Sequence, residues 1–135
     1  MKSERGFSLV EVVIAIALLG IVGVAFLGGL STASKAIFIA DERATAESLA
    51  RTQMEYVRNQ PYDADTTHNP PQYSKIPNIP AGYDIDVSAV RLDPKGDGTT
   101  NDDGIQKITV KVYHPYDAAH PEDYVVKLEG YRSAR

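Results

Sequence analysis

The sequence predicts an α+β fold: one long N-terminal helix laid on a small antiparallel sheet of three or more strands. Three observations lead there. Residues 7–30 form an apolar run of 24 residues with a single ionisable group, Glu11. Residues 31–58 contain no proline or glycine and repeat their apolar positions at helical spacing. Beyond residue 82, three segments alternate apolar and polar residues at the period of a strand.

The chain of 135 residues is of one-domain size. Its hydrophobic residues, 43% of the total, crowd into the N-terminal run, while the remainder is polar. One part therefore belongs in lipid and the other in water. No cysteine is present, so disulfides and thiolate metal sites are excluded and an extracytoplasmic domain must hold together by packing alone. The net charge is −4 and no Lys/Arg cluster exceeds two residues, which argues against nucleic-acid contact.

Residues 7–30 as a helix would span about 36 Å, against a hydrocarbon core of about 30 Å. Lys2 and Arg5 flank the run on its N-terminal side, so the N-terminus is expected in the cytoplasm and the bulk of the chain outside. A cleaved secretory signal fits less well, because its apolar region is about 7–15 residues long. Gly20, Gly23, Gly28 and Gly29 punctuate the run; small residues permit close helix approach in a membrane, though glycine is common in membrane helices generally.

From Ser31 to Arg58 the helix is expected to continue with an apolar stripe of Ile39, Ala46, Ala50, Met54 and Val57. Asp41, Glu42, Glu47, Arg51, Glu55 and Arg58 lie on the other face, and Pro61 ends the helix. Residues 7–58 as one helix would measure about 78 Å. Residues 59–82 hold Pro61, Pro70, Pro71, Pro77 and Pro80 and read as an irregular loop. The domain of residues 83–135 supplies the strands, at 83–92, 105–114 and 123–132. Their alternation runs through Ile85 and Val87, then Ile108, Val110 and Val112, then Tyr124, Val126 and Leu128. The helix stripe would cover the apolar face of this sheet.

The residues around the start of the run resemble a known pattern. Met1–Gly6, followed by Phe7-Ser8-Leu9-Val10-Glu11-Val12, is similar to the class III signal of type IV pilins and type II secretion pseudopilins. A short charged leader ends in glycine; an aromatic residue follows, then a glutamate at the fifth position after the glycine, then an unbroken apolar helix. The style of the stretch is nearest to I-type pseudopilins and V-type minor pilins. The resemblance covers residues 1–30 closely and 31–58 in kind. It implies a pilin-like fold and cleavage between Gly6 and Phe7 by a prepilin peptidase, with methylation of the new amine at Phe7. It also implies assembly with other pilin or pseudopilin subunits at an inner-membrane platform. Residues 1–6 are then a leader peptide, and the mature protein is a single-pass inner-membrane protein before it enters a filament.

Physical reasons accompany this pattern. A glycine at the cut allows close approach of a protease to the backbone. A carboxylate in a membrane helix is expensive, less so near the end, and is usually paired and functional. Cleavage would create a charged amine one turn before Glu11, which Glu11 of a neighbouring subunit could meet, fixing axial register. The plainer reading is that Glu11 reaches the headgroups.

Two further clusters stand out. Residues 93–104 hold Asp93, Asp97, Asn101, Asp102 and Asp103, oxygen ligands of the kind calcium takes, although the spacing is not that of an EF-hand and the same residues serve ordinary turns. His114 and His120 flank an Asp, but Pro115 and Pro121 argue against a shared helix face. No nucleophile–base pairing, phosphate loop or metalloprotease motif is present, so an enzyme is not expected. Two functions remain open at this point: a structural filament subunit, and a membrane-anchored binding module that does not polymerise.

Overall fold

The computed structural model describes residues 6–96, 98, 102–114 and 123–134. One helix, α1 (Leu9–Asn59), is followed by three strands, β1 (Asp84–Arg91), β2 (Ile105–Tyr113) and β3 (Val126–Ser133). The chain divides into two compact units, Met1–Ala40 and Asp41–Arg135.

In the first unit the helix begins two residues later than the apolar run. Ser8 precedes it, as suits a residue favoured at helix N-caps, and its carbonyl accepts a hydrogen bond from the Val12 amide at 3.2 Å. None of residues 6–40 is buried by the described chain; Leu9, Leu19 and Phe26 are among the exposed apolar side chains. The helix is long and apolar enough to cross a membrane. Its polar patch is internally satisfied: the Thr32 and Ser34 hydroxyls donate to the carbonyls of Gly28 and Leu30 at 3.1 and 3.0 Å, as hydroxyls do in helices that offer them no water.

In the second unit the sheet is an antiparallel meander in the order β1-β2-β3. The core joins Ala46, Ala50, Met54 and Val57 of α1 to Ile85 and Ala89 of β1 and Ile108, Val110 and Val112 of β2. The alternation seen in the sequence is realised most cleanly in β2, the central strand, where Gln106, Ile108, Val110 and Val112 are all buried. Alanine at positions 46 and 50 brings the helix close to the sheet. Gly130 answers Met54 from β3, since a Cβ there would lie 3.2 Å from the Met54 sulfur.

Two expectations need correction. Ile39 shares the helical phase of the stripe but is 63% exposed; the buried stripe starts at Ala46 and includes Gln53. β3 starts at Val126, three residues late. The Val125 amide bonds the Val112 carbonyl at 2.8 Å across a bend, and the ladder begins only at Val126. Tyr124 therefore falls outside the inward alternation, exposed, with the Lys111 ammonium 5.5 Å from its ring centre.

The proline-rich segment has no regular element, yet polar side chains tie it down. Gln53 is fully buried; its Nε2 donates to the Ser74 carbonyl at 3.0 Å, and its Oε1 accepts from the Ile76 amide at 2.8 Å. Gln60 makes the same kind of clamp on both backbone groups of Ser74. At the end of the sheet, Arg91, Gln106 and Arg132 occupy one cross-strand row. The Arg91 guanidinium donates to the carbonyls of His68 and Asp65 at 2.7 and 2.8 Å. Gln106 accepts from the Tyr73 hydroxyl at 2.6 Å and donates to the Asp63 carbonyl at 2.8 Å. The Arg132 guanidinium donates to the carbonyls of Val57 and Gln60, capping the end of α1, and lies over the rings of Tyr62 and Tyr73.

Asp63 gives this segment an acid sensitivity. Burial disfavours its charge, but this is outweighed by hydrogen bonds from the Gln72 amide, His68 and the Asp65 amide, and its carboxyl is held below the usual range. A depressed folded value stabilises the fold above the unfolded value and loses that contribution as pH falls through the folded value. The urea midpoint is therefore expected to exceed that of Asp63→Asn at pH 6, with the gap closing below about pH 4. A gap unchanged between pH 6 and pH 3 contradicts this account.

Candidate processing and assembly site

Gly6, Phe7 and Ser8 form a short non-helical lead into α1. Among the described residues, a Cβ at Gly6 would meet nothing within 4 Å. Phe7 is 82% exposed. Glu11 sits in the first turn of the helix and is exposed. There the unpaired amides and the positive end of the helix dipole favour a carboxylate, which makes Glu11 more tolerable than a charge deeper in the run.

Phe7, Glu11 and Ala15 follow one another at four-residue spacing. With Val12, Ile16 and Leu19 they line a shallow groove of about 430 Å³. Glu11 has no hydrogen-bond or ion-pair partner among the described residues. The arrangement offers a lone carboxylate at the border of an uncovered apolar surface, one turn from the residue that the proposed cut would make N-terminal. The leader, residues 1–5, lies outside the described residues.

The acidic loop is held by internal bonds. The Asp93 carboxylate accepts from the amides of Gly96 and Gly98 at 2.6 and 2.8 Å. Asp102 accepts from the Tyr62 hydroxyl at 2.7 Å and the Gly104 amide at 3.0 Å. Asp103 takes the Lys95 ammonium at 2.6 Å, and this hydrogen bond holds its carboxyl below the usual range. The structure thus directs these three carboxylates to different donors. Asp97 and Asn101 lie outside the described residues. Among the described residues no three His, Asp or Glu side chains gather as a metal site would require.

His114 Nδ1 lies 2.9 Å from Glu42 Oε1, and its ring stacks on Tyr83 at 4.3 Å; His120 lies outside the described residues. His68, which carried no signal in the sequence, pairs with Asp63 at 3.2 Å. What sequence reasoning missed was the structural polar set of Gln53, Arg91, Gln106 and Arg132. Their signal was present only as polar residues in the inward phase of otherwise apolar alternations.

Comparison with curated proteins and with solved structures gives no match. Residues 1–27 match the family model of the prokaryotic N-terminal methylation motif, a class III signal consistent with a type IV pilin-like prepilin.

Proposed function

We propose that the chain is a structural subunit, a minor pilin or pseudopilin, of a type IV pilus or type II secretion filament, and that it performs no catalysis itself. A prepilin peptidase cuts between Gly6 and Phe7 and methylates the Phe7 amine. The subunit waits in the inner membrane with its N-terminus cytoplasmic and its globular unit outside, then joins the filament by helix packing. The observation that carries this reading is the helix itself. From Leu9 to Leu30 it is apolar and exposed among the described residues, with Glu11 its one ionisable side chain. Lipid covers such a surface before assembly; neighbouring helices cover it afterwards, and they bring further charged amines within reach of Glu11.

Mass spectrometry of protein purified from membranes tests the first step. The expected N-terminus is Phe7, heavier by one methyl group, and Gly6→Val is expected to leave the chain starting at Met1. A wild-type chain that retains Met1 supports the non-polymerising membrane anchor and removes the filament reading.

A further inference from the structure

The two edges of the sheet differ, and the difference is matched in register. Among the described residues no strand pairs with the outer edge of β1 or of β3. The solvent face of the sheet is built of cross-strand rows. One row is Asp86, Lys111 and Lys127; another is Val90, Lys107 and Tyr131. In the first row two lysines stand directly opposite each other, an unfavourable arrangement that the Lys127–Glu129 ion pair at 2.8 Å relieves on one side only. The acid of the row, Asp86, lies at the far edge and has no ion-pair partner among the described residues. In the second row the large apolar side chains are at the two edges: Val90 is 55% exposed and Tyr131 67%.

We propose that β3 of one copy pairs with β1 of a second copy, so that the solvent face runs on from one globular unit to the next. The two rows then continue in register. Lys127 meets Asp86 of the neighbour, and Tyr131 meets its Val90, an aromatic–β-branched pair of the kind that stabilises sheets. Polarity agrees as well. β1 and β3 both run antiparallel to β2, so copies in the same orientation pair these edges in parallel. Such a contact is head-to-tail, the kind from which an open polymer can be built. A symmetric β3–β3 contact centred on Glu129 would instead oppose two glutamates.

There is also room on the helix side. Two adjoining cavities of about 460 and 620 Å³, which meet at Arg51 and Leu128, run between α1 and β3. Val126 and Leu128 are only half-buried beside them, as is Val87 on the opposite edge. The charges on β3 do not forbid the contact: Lys127 already holds Glu129 of its own strand at 2.8 Å, and a neighbour that brings Asp86 adds a second acid, a charge requirement of the kind that keeps an edge strand from indiscriminate pairing. The inference rests on the filament reading only for the presence of many aligned copies.

Because the native chain has no cysteine, disulfide trapping reads the contact directly. Adjacent strands lie about 4.8 Å apart, within the Cα separation a disulfide accepts. Full-length chain carrying Val90→Cys and Tyr131→Cys together, oxidised in membranes, is expected to give a ladder beyond the dimer. Co-expressed single variants are expected to give a mixed dimer, and Tyr131→Cys alone at least tenfold less product. Adding Lys127→Asp is expected to reduce the ladder at least tenfold, and Lys127→Asp with Asp86→Lys to restore it. No ladder from a chain whose far-ultraviolet circular dichroism is that of wild type, or equal dimer from Tyr131→Cys alone, overturns the proposal. Electron microscopy separates the two readings. Filaments without a ladder refute the edge contact alone; a ladder without filaments refutes the filament reading alone.

Discussion

Replacing Gln53 with methionine is expected to lower the stability of the globular unit by about 2–3 kcal/mol, a large share of the total for a small domain. The side chains are similar in length and volume, so no cavity accompanies the change. What changes is hydrogen bonding at a fully buried position. The Ile76 amide loses its acceptor, Gln53 Oε1. The Ser74 carbonyl keeps one donor, because Gln60 Nε2 also reaches it at 3.0 Å. The single change thus orphans one part-buried backbone group. Gln53→Met with Gln60→Met also frees the amide and carbonyl of Ser74, but Ser74 is exposed and water takes the place of the lost partners, so the double variant is expected to fall close to the sum of the two singles. Urea unfolding of the full chain in detergent checks both statements. Gln72→Met, on an exposed side chain of the same segment, serves as control and is expected to stay within about 0.5 kcal/mol of wild type. If Gln53→Met unfolds at the midpoint of that control, the polar anchoring of residues 61–80 is wrong.

How much of this was legible beforehand depended on whether a residue answers to local periodicity or to distant partners. Ile108, Val110 and Val112 could be assigned to the core because a strand turns every second side chain the same way. Ala46, Ala50, Met54 and Val57 could be assigned because a helix returns after 3.6 residues. Ile39 shows the limit of that logic. Periodicity gives the phase of a face, and says nothing about where along the helix the covering sheet begins. Tyr124 fails for a related reason: alternation carries past the end of a ladder, and only the bend at Val125 fixes the end.

Arg91, Gln106 and Arg132 were beyond the sequence in another way. Each sits in the inward phase of its strand, where an apolar residue is expected, and each finds its partners in backbone groups far along the chain. Only the register, which sets these three side by side, shows that the sheet has an apolar inner face ending in a polar row. That row exists because the proline-rich segment, lacking regular structure, must have its carbonyls satisfied from outside. The proposed processing and assembly residues are the reverse case. Gly6, Phe7 and Glu11 are singled out by their order along the chain alone, and the fold adds only that they are exposed among the described residues.

Glu11→Ala is expected to be processed at Phe7 as wild type is, and to form at least a hundredfold fewer filaments. The argument rests on two environments. In the bilayer, a carboxylate on an apolar helix is unfavourable, by about 2.5–3.5 kcal/mol at the centre and less near the end, so removing it makes the membrane-resident subunit more stable. In the proposed filament, the same side chain would meet the Phe7 amine of a neighbour among apolar helices. Deleting one member of a buried ion pair leaves the other uncompensated and costs about 3–5 kcal/mol, a factor of a hundred or more in the equilibrium for adding a subunit. Both effects push the same way, toward subunits that stay in lipid. Glu11→Gln separates charge from shape: a neutral amide still bonds the amine, and an intermediate yield is expected. Processing is read by the N-terminal mass of membrane-extracted chain, and assembly by sheared filament yield per unit of processed subunit. Wild-type filament yield from processed Glu11→Ala chains ends the registry role, and places Glu11 instead among residues that merely reach the headgroups.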